Sequence, residues 1–305
     1  MNSNLLTNND IPVLLIGYNR PNLLKKRIIE ISQMPVRHLY LSIDGGPESH
    51  TKEMYSVIKS TRKILKNLET LEIIHHKENL GLVKHITSTI TKILTIFNYI
   101  IVVEDDIKMS SNFYTNMING FNFQTNNNIT GIIGGFSPVS IKKFISNKWR
   151  ISKYCVIWGW GCTAELWSDY IYDLGTQELN SNSLSSYSWN TLKKEQQELW
   201  INRFLKVQKF PYSTWDIQLQ YLSFKSNFQN IYPVSTLVTN EGFSDYRAVH
   251  TKEQKPKWML NYTGDERLIK VKKISNLSKF FEKYIDTNTI AGYTKIFQWW
   301  LKRKL

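Results

Sequence analysis

Cysteine is scarce in this chain of 305 residues: Cys155 and Cys162 are the only two. Their separation fits neither a Cys-x-x-Cys redox pair nor a zinc pattern, so free thiols in a reducing cytoplasm are expected. Long apolar runs are lacking too, and none approaches the roughly 20 residues that cross a bilayer. The polar, Asn-rich stretch Met1–Asp10 has no signal-peptide architecture. The expectation is a soluble cytoplasmic protein, with any membrane contact peripheral and on the inner face. No Pro/Gly/Ser-rich linker divides the chain, and no internal repeat occurs. Acidic residues are outnumbered, 25 against 39 Lys and Arg, for a net charge of +14.

What is present is aromatic and apolar. At 42% hydrophobic and 13% aromatic residues the chain has ample material for a core, which excludes a disordered protein. All ten tryptophans follow residue 148, and the second half therefore holds either an aromatic-rich core or a stacking surface. The positive charge is also uneven. From Lys252 to Leu305 thirteen Lys or Arg stand against five Asp or Glu. Such a basic stretch meets phosphate, anionic lipid or nucleic acid, or is merely solvated.

The pattern of the first hundred residues is repetitive. Short apolar runs at Pro12–Ile16, Leu39–Ile43 and Leu71–His75 alternate with helical spacing at Leu24, Ile28 and Ile31, over Met54–Leu65, and at Val83, Ile86, Ile90, Ile93 and Phe97. This is βαβ organisation with a mainly parallel sheet flanked by helices. The fourth run, Tyr99–Val103, ends in Glu104, Asp105 and Asp106. Three adjacent acids repel one another unless a cation sits among them, and the carboxyl ends of parallel strands are where open α/β folds bind ligands. The alternative is an acidic strand-to-loop transition in water. The other strand ends carry Asn19-Arg20, Asp44 and Asn79-Leu80-Gly81, polar groups suited to a base and ribose. Asp44-Gly45-Gly46 is equally good turn chemistry, and Asn79 and Gly81 equally a helix start.

Later elements read as a helix over Ser110–Phe121 capped by Ser110 or Ser111, a buried strand or turn at Gly131–Gly135, and an aromatic loop at Trp158–Gly161. Helices follow over Ala164–Tyr170, Glu195–Val207 and Trp215–Phe224, then a strand over Ile231–Val238. One catalytic domain is expected over 1–263, with a nucleotide-binding half near 12–110 and an acceptor half near 111–263. A basic amphipathic helical tail is expected over 264–305.

In their order these segments resemble the GT-A class of nucleotide-sugar glycosyltransferases, over roughly residues 12–250. They are most similar to the inverting N-acetylglucosaminyltransferase I group and to bacterial family 2 enzymes. The segments are Glu104-Asp105-Asp106, Trp158-Gly159-Trp160, Ala164-Glu165-Leu166-Trp167, Trp215-Asp216, and Ile231-Tyr232-Pro233 with Asn240-Glu241-Gly242. The resemblance implies that Asp106 binds Mn²⁺ or Mg²⁺ while Glu104 and Asp105 face the ribose and the metal's water. It implies that Asp216 is the base taking the acceptor hydroxyl's proton, with Glu165 the rival base, and that residues 240–242 form a mobile loop over the donor. Trp158 and Trp160 become candidates for stacking on an acceptor sugar. His250 is a candidate ligand that completes the metal site. His75 and His76 read as structural, and Arg247 or Arg267 as diphosphate contacts or solvated surface.

The implied partners are a nucleotide-diphosphate sugar, a UDP-sugar first among them, and a saccharide or lipid-linked saccharide acceptor in bacterial surface-polysaccharide synthesis. Trp299, Trp300, Lys302, Arg303 and Lys304 suit an interfacial membrane anchor or a helix packed on the domain. Three alternatives stand beside this reading: a sugar nucleotidyltransferase, a nucleic-acid-binding protein and an inactive scaffold. The first needs a Gly-rich basic loop after the first strand, which Asn19-Arg20-Pro21 does not supply. No nucleic-acid partner is expected, given the buried acidic strand end.

Overall fold

The computed structural model describes residues 10–137, 149–180, 182–244, 247, 268 and 269. The first half is a strict alternation. β1 (Val13–Gly17) leads to α1 (Pro21–Ser32), β2 (His38–Ile43) to α2 (Glu48–Thr61), β3 (Thr70–His75) to α3 (Leu82–Leu94), and then comes β4 (Tyr99–Glu104). β1 is apolar throughout and buried throughout, as a strand covered on both faces must be. Pro21 opens α1 at a position whose N–H has no intrahelical partner, so proline costs nothing there.

The chain continues through β5 (Ile107–Met109), α4 (Phe113–Asn127), β6 (Ile133–Gly134), β7 (Trp149–Ser152), β8 (Trp160–Thr163) and α5 (Ala164–Ser168). Then follow α6 (Tyr187–Asn190), α7 (Lys194–Lys209), α8 (Asp216–Lys225), β9 (Asn230–Pro233) and β10 (Val238–Asn240). Among the described residues the main sheet has eight strands in the order β3-β2-β1-β4-β8-β6-β9-β7. β3, β2, β1 and β4 are mutually parallel. β8 runs against both β4 and β6, and β7 runs against β9, while β6 and β9 are parallel. Six strands therefore point one way and two the other. This is the expected α/β class with a mostly parallel sheet.

Alternate residues along a strand face opposite sides, and two cores result. Val13, Leu15, Leu39, Leu41, Ile101 and Val103 pack under α1, α2 and α4. Leu14, Ile16, Tyr40, Ile100 and Val102 pack under α3, α5 and α8. A third cluster, with Trp189, Trp200, Phe204 and Phe224, joins α6, α7 and α8. The described tryptophans of the second half thus go mainly to core.

The structure corrects several boundaries. The expected aromatic loop at 158–161 is half strand, because Trp160 and Gly161 enter the sheet between β4 and β6. The expected single strand over 231–238 is two strands in different sheets. β9 ends at Pro233, which has no N–H to extend the ladder, and β10 pairs with β5 in a separate two-stranded sheet. α4 starts at Phe113 rather than Ser110, without a side-chain cap, and runs on to Asn127. Both cysteines are free. No helix among the described residues is long and apolar enough to cross a membrane. The expected tail lies outside the described residues except at Leu268 and Ile269. Ile269 is buried in the first core, and its N–H donates to Asn116 Oδ1 at 2.7 Å.

Candidate active site

Parallel topology brings the polar strand ends to one edge. β1 and β4 are neighbours, with Ile16 opposite Glu104 and the Asp105 N–H donating to the Ile16 carbonyl at 2.9 Å. Arg20, just past β1, reaches across to the acids. Its Nη1 lies 3.1 Å from Asp105 Oδ1 and 2.7 Å from Asp106 Oδ2. All three side chains are largely shielded, with 13%, 9% and 11% of their surfaces exposed, so their mutual attraction is less screened by water and salt than that of a surface ion pair. Glu104 makes no ion pair among the described residues. Burial first, then the charges of Asp106 and Asp105, hold its carboxyl well above the usual carboxylate range.

Asp44 acts as a clip. Its Oδ1 accepts from the N–H of Gly45 and of Leu80, each at 2.9 Å, tying the end of β2 to the loop before α3. A side chain at Gly45 would overlap the Glu78 carbonyl, so glycine is what lets the two loops touch. Asn79 donates from Nδ2 to the Tyr18 hydroxyl at 3.2 Å and accepts the Gly81 N–H at 2.7 Å. Asn19 contributes its carbonyl, which accepts from Arg247 Nη1 at 2.9 Å, and Arg247 also pairs with Glu53. Arg247 thus sits on the rim beside Asn19.

Asp106 is fixed from the other side by β10. The Glu241 N–H donates to the Asp106 carbonyl at 2.7 Å. A Cβ at Gly242 would come within 2.5 Å of Asp106 Oδ2, so glycine is needed here for close approach. Glu241 turns inward to Arg27, which is wholly buried and also holds Glu30 at 2.8 Å. Glu30 in turn accepts the Met109 N–H, and burial pushes its carboxyl above the ordinary range despite Arg27. This set, centred on the buried Arg27, ties α1 to the small sheet that begins just after Asp106. The sequence offered a signal: Arg27 stands on the same helical face as Leu24 and Ile31, a charge inside an apolar stripe.

Asp216 opens α8, and its Oδ1 accepts from the Thr214 hydroxyl. It lies near enough to the acid run for its charge to add to the upward push on Glu104. Arg203 on α7 is the second basic group in range. Burial draws its guanidinium down to about 10, Asp216 opposes that, and the group stacks on Trp200 at 4.6 Å. Nothing in the sequence singled out Arg203.

Two expected residues are not brought to the site. β8 runs against β4, with Trp160 opposite Val102 and Thr163 opposite Tyr99. Glu165 follows at the amino end of β4, where the Ala164 N–H donates to the Asn98 carbonyl. At about 3.3 Å per residue this is roughly 16 Å from Glu104 along the strand. Trp160 is buried, stacked on Trp215 at 5.4 Å and tilted against Trp167, with no face left for a sugar. Trp158, two residues earlier, does lie toward the acidic edge. It is half-buried, edge-on to Phe136 at 4.6 Å and to Phe243 at 6.3 Å. The preceding loop is strapped down: the Cys155 N–H donates to Gln220 Oε1, and the Tyr232 hydroxyl accepts the Val156 N–H and donates to the Tyr154 carbonyl. His250 and Arg267 lie outside the described residues.

No group of three or more His, Cys, Asp or Glu among the described residues is arranged to hold a metal alone. Asp105 and Asp106 nevertheless aim one oxygen each at a single point. Two such oxygens suit a hard cation that takes its other ligands from diphosphate and water.

No known family's sequence model matches the chain, and no curated protein matches it in sequence. Solved structures do show likeness. A Pyrobaculum calidifontis mannosyltransferase, in complex with GDP-Man and Mn²⁺, is 10% identical at a TM-score of 0.39, over 52% of this chain and 45% of its own. A UDP-glucose pyrophosphorylase complexed with UDP-glucose is 11% identical at 0.38, over 73% and 89%. The apo glycosyltransferase GlyE from Streptococcus pneumoniae is 10% identical at 0.32, over 72% and 44%. The chain thus spans less than half of either glycosyltransferase. At these values the fold and chemistry rest on this chain's own topology and side chains.

Proposed function

We propose that this chain is an inverting glycosyltransferase that takes a sugar from a nucleotide diphosphate, a UDP-sugar first among the candidates, and passes it to a saccharide or lipid-linked saccharide hydroxyl. One observation supports this above the rest: at the edge where four parallel strands end, Asp105 and Asp106 converge on one point, with Asp216 in electrostatic reach on a separate element.

In this reading Tyr18, Asp44 and Asn79 line the nucleoside rim, and Arg20 faces the diphosphate. Asp106 with Asp105 would hold Mn²⁺ or Mg²⁺, which on binding stabilises charge on the departing diphosphate. Trp158 offers the acceptor an aromatic edge. Asp216 has one oxygen engaged by Thr214, which leaves Oδ2 to accept the acceptor proton. The acceptor oxygen bonds to the anomeric carbon, the bond from that carbon to the diphosphate oxygen breaks, and the proton passes to Asp216.

Calorimetry with UDP, GDP, CMP and TDP, each with Mn²⁺ and with EDTA, tests the donor site. One diphosphate is expected to bind at least tenfold more tightly with Mn²⁺ than with EDTA, and Asp106→Ala should remove that gain. No metal-dependent binding to any of them would sink the proposal. Pyrophosphate release from a sugar 1-phosphate and a nucleoside triphosphate would instead assign a sugar nucleotidyltransferase.

A further inference from the structure

Asp105 Oδ1 and Asp106 Oδ2 converge on Arg20 Nη1, at 3.1 and 2.7 Å. Arg20 is set there by the chain on both sides. It follows β1, and it precedes Pro21, whose fixed φ starts α1. The main chain that carries the two carboxylates is fixed too, at Asp105 by its N–H to the Ile16 carbonyl and at Asp106 by its carbonyl, which accepts from the Glu241 N–H. A small divalent cation drawn to the same two oxygens needs this same point. A guanidinium and a dication cannot share it, because like charges about 3 Å apart in a shielded site repel strongly. Entry of the cation therefore displaces the Arg20 guanidinium from the two acids, toward whatever anion arrives with the cation. A diphosphate presents planar pairs of oxygens that match its fork.

We infer that Arg20 is the built-in counter-ion of the acid pair and competes with the divalent cation for Asp105 and Asp106, so that the cation enters tightly only together with a diphosphate that receives the displaced guanidinium. This rests on the donor-site reading above. It adds an order to that reading: cation and nucleotide stabilise one another's binding, and the coupling runs through one side chain. Linkage requires the effect to be reciprocal, so the nucleotide must strengthen Mn²⁺ binding by the factor with which Mn²⁺ strengthens nucleotide binding.

The test follows free Mn²⁺ by electron paramagnetic resonance on the full chain, with and without saturating UDP or GDP, in wild type, Arg20→Gln, Arg20→Lys and Asp106→Asn. Wild type is expected to bind Mn²⁺ weakly alone and at least tenfold more tightly with the matching nucleotide. Arg20→Gln is expected to bind Mn²⁺ alone at least tenfold more tightly than wild type, with the nucleotide adding little. Arg20→Lys keeps a cation at the acids and should stay weak like wild type, which separates lost charge from a disturbed fold. Asp106→Asn should lose the site in every arm. Arg20→Gln that leaves affinity for Mn²⁺ alone within twofold of wild type overturns the inference. Arg20→Gln that gains Mn²⁺ affinity while no nucleotide has any effect upholds the competition and instead removes the donor-site reading. No Mn²⁺ binding in any arm overturns both.

Discussion

Residues 13–104 and residues 133–233 build the two halves of one sheet, and they differ in how chain order maps to space. In the first half all four strands run parallel, so whatever follows a strand lands on the same edge. Arg20, Asp44, Asn79 and the acid run meet there for that reason alone. In the second half β8 and β7 run against their neighbours. A residue after β8 is then carried away from the acidic edge, and one before it is carried toward it. Polar strand ends collect where direction is uniform, and the reversed strands contribute mainly core.

The sharpest way to break this comparison is to exchange the roles of two acids. Asp216 begins a helix beside the acid run, whereas Glu165 is exposed at the far edge. Asp216→Asn is expected to lower transferase turnover about 10²–10⁴-fold, the range for loss of a general base, while nucleotide affinity stays within about twofold of wild type. Glu165→Gln should leave both within about twofold. A large loss in Glu165→Gln with a normal Asp216→Asn would mean that β8 does not carry its chain to the far edge in solution.

The tryptophans give the next effect in size. Trp160 is enclosed by Trp167 and Trp215, so Trp160→Ala should cost about 3–5 kcal/mol in urea unfolding. Trp158 is only half-buried, and Trp158→Ala should cost nearer 1 kcal/mol, falling instead on the KM for acceptor. Equal stability losses at the two positions would erase the distinction drawn here between core and rim.

Much of the first half was legible in the sequence, because apolar runs, helical spacing and turn residues there agree with one another. Its edge was legible because parallel strands allow one arrangement of their ends. Strand direction in the second half is a long-range property that no local pattern encodes. Trp160 and Glu165 were therefore misplaced by the same event, the insertion of β8 between β4 and β6. The split of residues 231–238 was signalled by Pro233 alone. Contacts that depend on side-chain reach stayed hidden for another reason: Arg20 on the acids and Arg203 near Asp216 join residues 85 or more positions apart in the first case and different helices in the second. Asp44 shows a residue type with two good uses, and the structure puts its Oδ1 to the local one, as a clip between loops.

Acid should separate the halves by a smaller margin. Every histidine among the described residues lies in the first half, at positions 38, 50, 75, 76 and 85. His85 on α3 is buried against Ser42, whose hydroxyl is 2.7 Å from Nε2, and its ring meets that of His76. Burial above all pulls it down to about 4, with Asp44 opposing and His76 reinforcing. The unfolded chain takes up this proton near pH 6.5 and the folded chain only near 4. Between those values unfolding binds a proton, so stability falls as pH drops, by up to about 3 kcal/mol at pH 4. His76, drawn down by the same burial, adds in the same direction. Hydrogen exchange at pH 7 and pH 5 should therefore show protection lost first in β2, β3 and α3 and retained in α7 and α8. His85→Gln should flatten the slope while lowering stability at neutral pH through a weakened bond to Ser42. Uniform loss of protection across both halves would place the acid response elsewhere, and the two halves would then differ in geometry but not in how firmly each is held.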